Sequence, residues 1–373
     1  MDSAKFGDYC NFIRSSLLEW KDVPDSDFTF QLLLGLTNEV YKVQPASLDI
    51  SPNPIIFRKF NEDQTVVNRG QERRLFRELA DANLGPKCYA DNEKYRIEEY
   101  IYSTTLYGPD YNKKKIRRDI AFALAKFHKT KISWLPRNRY LADDLANRDA
   151  CKIFEAKCDK DIYTEGQKEI VKKIREIVSE KEKEFIQQTL PKDDLVLSHN
   201  DLADGNELLK DGTDEVLLID YEYCGYNFRG FDIGYMYQES IFLQSDEHPY
   251  FKVEEESIPT EQDLRDFISY YLVFSDLSHE DENKIGKTLL SDEEKMAQYI
   301  QEKYETQEWE KRIQKLLRET KIGAMTCCHY ITTWGIKMYK TMSYNFDHFE
   351  YAKQGFHRYL KHKQDLVNKV YTL

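Results

Sequence analysis

The chain lacks the spacings that would make its cysteines structural. Its seven cysteines stand singly apart from Cys327-Cys328, with no Cys-x-x-Cys pair and no Cys/His run of metal-ligand spacing. A zinc module or a disulfide framework is therefore not expected, and reduced thiols in a cytoplasmic protein are. No apolar run is long enough to span a bilayer. The N-terminus carries Asp2, Lys5, Asp8 and Arg14 where a signal peptide would need an apolar core. Positive excess is missing too: 54 Lys and Arg against 66 Asp and Glu leave a net charge of −12. That argues against nonspecific binding to nucleic acid or an anionic membrane. No internal repeat of fixed period is present. What is left is a soluble chain of 373 residues, long enough for two lobes and a sizeable core.

The most informative stretch is residues 195–239. Two apolar runs, Leu195–Ser198 and Val216–Ile219, have the length and branching of short buried strands. Each leads into an acidic cluster, His199-Asn200-Asp201 and Asp220-Tyr221-Glu222, and between them lie Asn206 and the turn signal Lys210-Asp211-Gly212-Thr213. The pattern predicts a hairpin-like unit that carries Asp201, Asn206 and Asp220 to one end of a scaffold. An Asp, an Asn and a second Asp in this order match the working parts of a kinase-type phosphoryl-transfer site. The first Asp takes the proton of the attacking hydroxyl, and the other two offer hard oxygens to magnesium. Turn formation is the ordinary reason for such residues after a strand. Three of them in register make that the weaker explanation.

Ser198-His-Asn-Asp201 with Gly205-Asn206, then Leu218-Ile-Asp220-Tyr-Glu222-Tyr223 and Phe231-Asp-Ile-Gly234, resembles the choline/ethanolamine kinase family. The resemblance implies a two-lobed, protein-kinase-like α+β fold. Its N-terminal lobe would be small and mainly antiparallel β, over residues 1–101. Its C-terminal lobe would be larger and mainly helical, over residues 102–373. It implies ATP and Mg2+, an amino-alcohol acceptor (choline, ethanolamine or both) and a place in phospholipid synthesis. Homodimers are common in the family and are the assembly to look for. Asp201 is then the base, Asn206 and Asp220 are metal ligands, and Glu222 supports the metal or the strand end.

Upstream, residues 1–20 suit an amphipathic helix, and Phe28–Leu34 and Val40–Val43 suit two strands around Gly35-Leu36-Thr37-Asn38. By resemblance Gly35, Thr37 and Asn38 form the loop over the nucleotide phosphates. Arg58, on the strand from Pro54 to Phe60, is the phosphate-gripping cation, and Glu72, on a helix over 68–83, is its partner. Lys59 should point to the other face of a regular strand. Residues 87–101 read as a hairpin that ends at the interlobe hinge. Lys113–Lys131 reads as a helix in which His128 is structural, and the charged residues 137–190 read as solvated helix faces. Residues 240–262 read as an acidic connection, Glu261–Phe274 as a helix, Asp276–Lys287 as a loop and 291–318 as a further helix. A last aromatic-rich helix pair begins near Lys321.

The acceptor pocket rests on the resemblance. Glu239 matches the family's carboxylate, and Tyr223, Phe346 and Tyr351 match its aromatic positions, a set suited to a quaternary ammonium. Departures cluster here. The family's Trp-x-x-Trp falls at Thr332 and Gly335, with Trp334 beside it, and its Gly-Asn-His-Phe reads Gly234-Tyr-Met-Tyr237. A tyrosine usual five residues after the carboxylate is Gln244. Fewer aromatic faces weaken selection for a trimethylated amine. The other readings are an aminoglycoside-phosphotransferase-like kinase with another hydroxyl acceptor and a catalytically silent scaffold. A protein kinase is disfavoured because no Asp-Phe-Gly or Ala-Pro-Glu segment follows.

Overall fold

A computed structural model of the chain describes residues 3–33, 38–47, 49–61, 68–138, 154–192, 195–213, 215–304, 306–340 and 345–370. The chain divides into two compact units. The first comprises residues 1–104 with the short segment 217–222, and the second holds the rest.

The first unit is built on a five-stranded antiparallel sheet. Its spatial order is Phe28–Leu33, Glu39–Pro45, Ile55–Lys59, Tyr95–Glu99 and Cys88–Asp91. Alternation along the two central strands decides what each face carries. Phe57 pairs with Ile97, and both are fully buried in an aromatic-rich core with Ile55, Tyr41 and Val43. The helix Ser3–Ser16 closes that face with Tyr9 and Ile13, the Tyr9 ring lying 4.7 Å from that of Phe57. The intervening residues face the other way: Arg58, and opposite it Arg96, with Glu98 next on the same side. Lys59 points away from Arg58 and bonds Glu39 at 2.8 Å. A second helix, Arg69–Asp81, starts where the Asn68 side chain accepts the Gln71 N–H. It buries Glu72, Leu75, Phe76 and Leu79. The segment 217–222 belongs to this unit through Tyr221, whose ring lies 5.8 Å from Phe76 and whose hydroxyl donates to the Leu84 carbonyl at 3.1 Å.

The second unit is mainly helical. The Gly230–Glu239 helix is buried along its whole length, and glycine is the reason it can be. A Cβ on Gly234 would lie 2.3 Å from the Thr320 carbonyl oxygen, and one on Gly323 would lie 2.4 Å from that of Gly230. Only bare backbone lets this helix lie so close to Gln307–Met338. His348–Val367 packs on the same long helix, and Lys114–Lys129 packs against Glu261–Asp276.

The expected hairpin between Leu195–Ser198 and the next apolar run does not form. Leu195–Ser198 pairs with Gly225–Phe228, in the register Ser198 to Gly225 and Leu195 to Phe228. The turn at Asp211-Gly212 is local to the strand Glu207–Lys210: Gly212 has φ +70°, and the Lys210 N–H donates to the Glu215 carbonyl at 3.0 Å. A close turn outcompetes a distant pairing, which leaves Leu195–Ser198 to the later strand.

Three other segments differ from expectation. The acidic connection contains a short hairpin, Phe242–Gln244 with Phe251–Val253, held by Phe242 and Phe251. Residues 279–291 are helical rather than loop. The helix expected near Lys321 begins at Gln307, where Thr306 accepts the Trp309 N–H, and runs unbroken for 32 residues. No described helix is long and apolar enough to cross a membrane.

Candidate functional site

The candidate residues fall into two groups, one in each unit. In the second unit, the strand Leu195–Ser198 ends at His199-Asn200-Asp201, and a buried carboxylate holds that turn. Asp232 Oδ2 accepts the His199 N–H at 2.7 Å, and Oδ1 accepts the Asn200 N–H at 2.8 Å. His128 Nε2 lies 3.0 Å from Asp232 Oδ2, and its Nδ1 lies 2.8 Å from the Tyr271 hydroxyl. Burial pushes the His128 pKa down even against the pull of Asp232, so the ring is neutral. Burial alone would raise Asp232. Its hydrogen bonds bring it below the usual carboxylate range. His128 therefore serves as structure, one layer behind the loop.

Asn200 has φ +66°, a left-handed conformation that Asn tolerates better than most residues. Its amide donates to the Tyr223 carbonyl at 3.0 Å and accepts from Asn227 at 2.9 Å. Asp201 leaves this frame with Oδ1 accepting the Tyr235 hydroxyl at 2.8 Å. Asn206 donates its amide N–H to the Asp201 carbonyl at 2.8 Å, which commits the nitrogen and turns the amide oxygen away. The pair is thus joined by backbone as well as by sequence. Behind it, the fully buried Glu207 accepts the Tyr111 hydroxyl at 2.9 Å, and burial pushes that carboxyl well above its ordinary value.

Glu239 ends the buried helix. The Tyr351 hydroxyl lies 2.8 Å from both of its carboxylate oxygens. Burial raises the Glu239 pKa to about 7, although the Tyr351 bond acts the other way. Around Tyr351 stand Phe242 at 4.9 Å, Phe346 at 5.3 Å and Trp334 at 6.1 Å between ring centroids. The structure thus brings Glu239, Trp334, Phe346 and Tyr351 together. The Tyr223 ring lies 6.5 Å from that of Tyr330.

In the first unit, Arg58 and Arg96 lie directly opposite on neighbouring strands, a pairing that would repel if left alone. Glu98 Oε1 resolves it by accepting Arg58 Nε at 2.9 Å and Arg96 Nε at 2.8 Å. Glu72 completes the set through Arg96 Nη1 at 2.5 Å, and the Arg96 guanidinium also covers the Phe76 ring at 3.7 Å. Burial alone would push Glu98 up. The two guanidiniums hold it below the usual range. Arg58 then extends Nη1 to Asp220 Oδ2 at 3.3 Å. Asp220 itself has φ +67°.

This corrects the expected Arg58–Glu72 pair. Glu72 bonds Arg96, and Arg58 bonds Glu98, because Glu98 shares the strand face of both arginines while Glu72 approaches from the helix. Glu222 also has protein partners. Its carboxylate lies 3.5 Å from the Asn38 amide nitrogen and 3.6 Å from Arg69. Asn38 in turn accepts from Arg69 at 3.0 Å and from the Asn61 N–H at 3.3 Å. Gly35 and Thr37 lie outside the described residues.

Sequence reasoning passed over Arg96, Glu98 and Tyr235. For the first two a signal was present, since two opposite charges flank Ile97 on one face of a central strand. Tyr235 was visible only as a departure from the family pattern.

A family model described as choline/ethanolamine kinase matches residues 30–360. Choline kinase alpha of Mus musculus is 25% identical over 363 residues, covering 94% of this chain and 74% of that protein. A probable ethanolamine kinase of Arabidopsis thaliana is 30% identical over 261 residues, covering 68% of this chain and 65% of that protein. Among solved structures, a choline kinase from Cryptosporidium parvum superposes with a TM-score of 0.74 at 23% identity, covering 97% of this chain and 96% of its own. That likeness shows the fold to be the α+β fold of protein-kinase-like enzymes. With the family model matching nearly all of the sequence from the first strand to the last helix, the chain belongs to the choline/ethanolamine kinase family.

Proposed function

We propose that this amino-alcohol kinase uses Asp201 as base to pass the γ-phosphoryl group of ATP to the hydroxyl of ethanolamine or choline. The hydroxyl oxygen forms the new bond to phosphorus as the bond to the β-phosphate oxygen breaks. The hydroxyl proton goes to the Asp201 carboxylate, and ADP leaves. The observation that carries the reading is the Asp201 loop itself, where Asp232 fixes two backbone N–H groups, Tyr235 fixes the carboxylate, and Asn206 is tied to the same residue. Positioning of this kind is most of what phosphoryl transfer asks of a protein.

Arg58 addresses the nucleotide phosphates, held in direction by Glu98. As magnesium ligands, the Asn206 amide oxygen and the Asp220 carboxylate would each supply a hard oxygen donor. Hard oxygen donors of this kind suit an ion that keeps water and phosphate oxygens in its shell. When bound, it neutralises charge on the phosphates. Glu222, engaged by Asn38 and Arg69, keeps those two side chains in place. Glu239 receives the amine, walled by Tyr351, Phe346 and Trp334. The product is a phosphorylated amino alcohol, the material of phospholipid headgroups, and the cysteine spacing supports a cytoplasmic site for its synthesis.

The test is ADP release with magnesium-ATP and choline, ethanolamine or no acceptor, with Asp201→Asn as control. Turnover that needs an amine and fails in the variant supports the reading. Silence with both amines in a protein that still binds ATP sinks it.

A further inference from the structure

Tyr235 bonds one chemical group of the proposed acceptor site and shares a helix with the other. Its hydroxyl donates to Asp201 Oδ1 at 2.8 Å. Glu239 follows it by four residues on the same helix, so the two side chains are neighbours on one face. Tyr235 is only 3% exposed. Burial, and after it the carboxylates of Asp201 and Glu239, push its pKa well above the ordinary phenol, so it remains a donor across the working range. Phe231, one turn earlier, supports the ring at 5.8 Å. A hydroxyl bonded to Oδ1 restricts the rotation of the Asp201 carboxylate, and the ring sits one helical turn before Glu239.

The last two helices pack closely beside Trp334. A Cβ on Gly335 would lie 2.6 Å from the His348 carbonyl oxygen and 2.9 Å from the Ala352 Cβ. One on Gly355 would lie 2.9 Å from the Thr332 hydroxyl. The last helix occupies the space beside Thr332 and Gly335, leaving no room for larger side chains there. Trp334 packs on His348 and Tyr351, with centroids at 5.4 and 6.1 Å. What the site offers is a carboxylate with a phenol hydroxyl upon it, which are hydrogen-bonding groups. A primary ammonium has three N–H donors to place on such groups. A trimethylated one has none, is bulkier, and depends on open aromatic faces.

We propose that Tyr235 is the residue that selects the acceptor, orienting Asp201 through its hydroxyl and admitting a primary amino alcohol in preference to a trimethylated one. This rests on the amino-alcohol kinase reading and narrows it.

Initial rates with magnesium-ATP decide it, comparing ethanolamine and choline for the native enzyme, Tyr235→Phe and Tyr235→Asn. The native enzyme should favour ethanolamine in kcat/KM. Tyr235→Asn should move the ratio toward choline by about tenfold or more, the scale on which pocket volume discriminates. Tyr235→Phe should keep the ratio and lower kcat on both amines by about tenfold, with KM little changed, through loss of one charge-assisted hydrogen bond. A native preference for choline overturns the proposal. So does an unchanged ratio in a Tyr235→Asn protein that melts like the native one. Should the Asn variant fail to fold, Tyr235→Leu makes the same opening and is read in the same way. Turnover of neither amine by the native enzyme overturns the functional reading and this proposal together, whereas turnover with an unmoved ratio overturns this proposal alone.

Discussion

The two units hold their functional side chains by different means. In the first, Arg58, Arg96 and Glu98 on one sheet face and Glu72 from the helix above it form a balanced set of two cations and two anions, and the Glu98 carboxyl is held below its usual range. In the second, the holding is by backbone N–H groups, amides and phenols; Asp232, which accepts two of those N–H groups, is also held low, whereas the Glu207 and Glu239 carboxyls are pushed up. The difference follows from what lies nearby. Long guanidiniums opposite each other on neighbouring strands need carboxylates between them, whereas Glu207 and Glu239 are buried against the phenol hydroxyls of Tyr111 and Tyr351. A charge-balanced grid keeps Arg58 permanently cationic and aimed, as phosphate binding requires.

The comparison breaks most visibly at Asp201. Asp201→Asn should lower kcat by about 10²–10⁴ while the melting temperature stays near native, because a base is lost and a fold is not. In the first unit the same scale of loss should appear as stability. Glu98→Ala leaves two arginines facing each other and should cost about 3–5 kcal/mol in urea unfolding. Its sign with pH can be checked as well. A carboxyl whose folded pKa is depressed contributes stability above its unfolded value, and the contribution goes as pH falls through the folded pKa. The native protein should show that loss on the acid side, and the variant should lack it.

Asp232→Asn tests the second unit's mode of holding. It removes a charged acceptor from two backbone N–H groups and should cost about 1.5–3 kcal/mol. Activity should fall further than the melt alone explains, since the Asp201 loop loses its anchor. The smallest effect concerns Glu239, with a pKa near 7. It is ionised above that value, and the amine substrate is cationic throughout. The kcat/KM for ethanolamine should therefore rise as pH increases through about 7 and then level off. The dependence should vanish in Glu239→Gln, and kcat at saturating amine should be flatter, because bound cation favours the ionised form. A flat native profile would mean that Glu239 does not receive the amine.

Much of this was legible before any coordinates. The strand Leu195–Ser198, the strand at Arg58, the helix holding Glu72 and the helix Lys114–Lys129 follow from apolar period and caps, which are local properties of the chain. Asp201, Asn206 and Asp220 stood out by residue type and order, and the fold joins Asn206 to Asp201. Glu239, Phe346 and Tyr351 came from resemblance, and the fold brings them to one place.

Pairing was not legible. The chain could not say that Leu195–Ser198 would join Gly225–Phe228, that Glu72 would choose Arg96, or that the last helix would lie against Gly335. Each depends on which of several chemically equivalent partners the packed chain brings within about 3 Å, the range of a hydrogen bond. Tyr235 is the clearest case. Its presence was plain in the sequence, yet only packing set its hydroxyl on Asp201, because a helix face has no direction until something is packed against it.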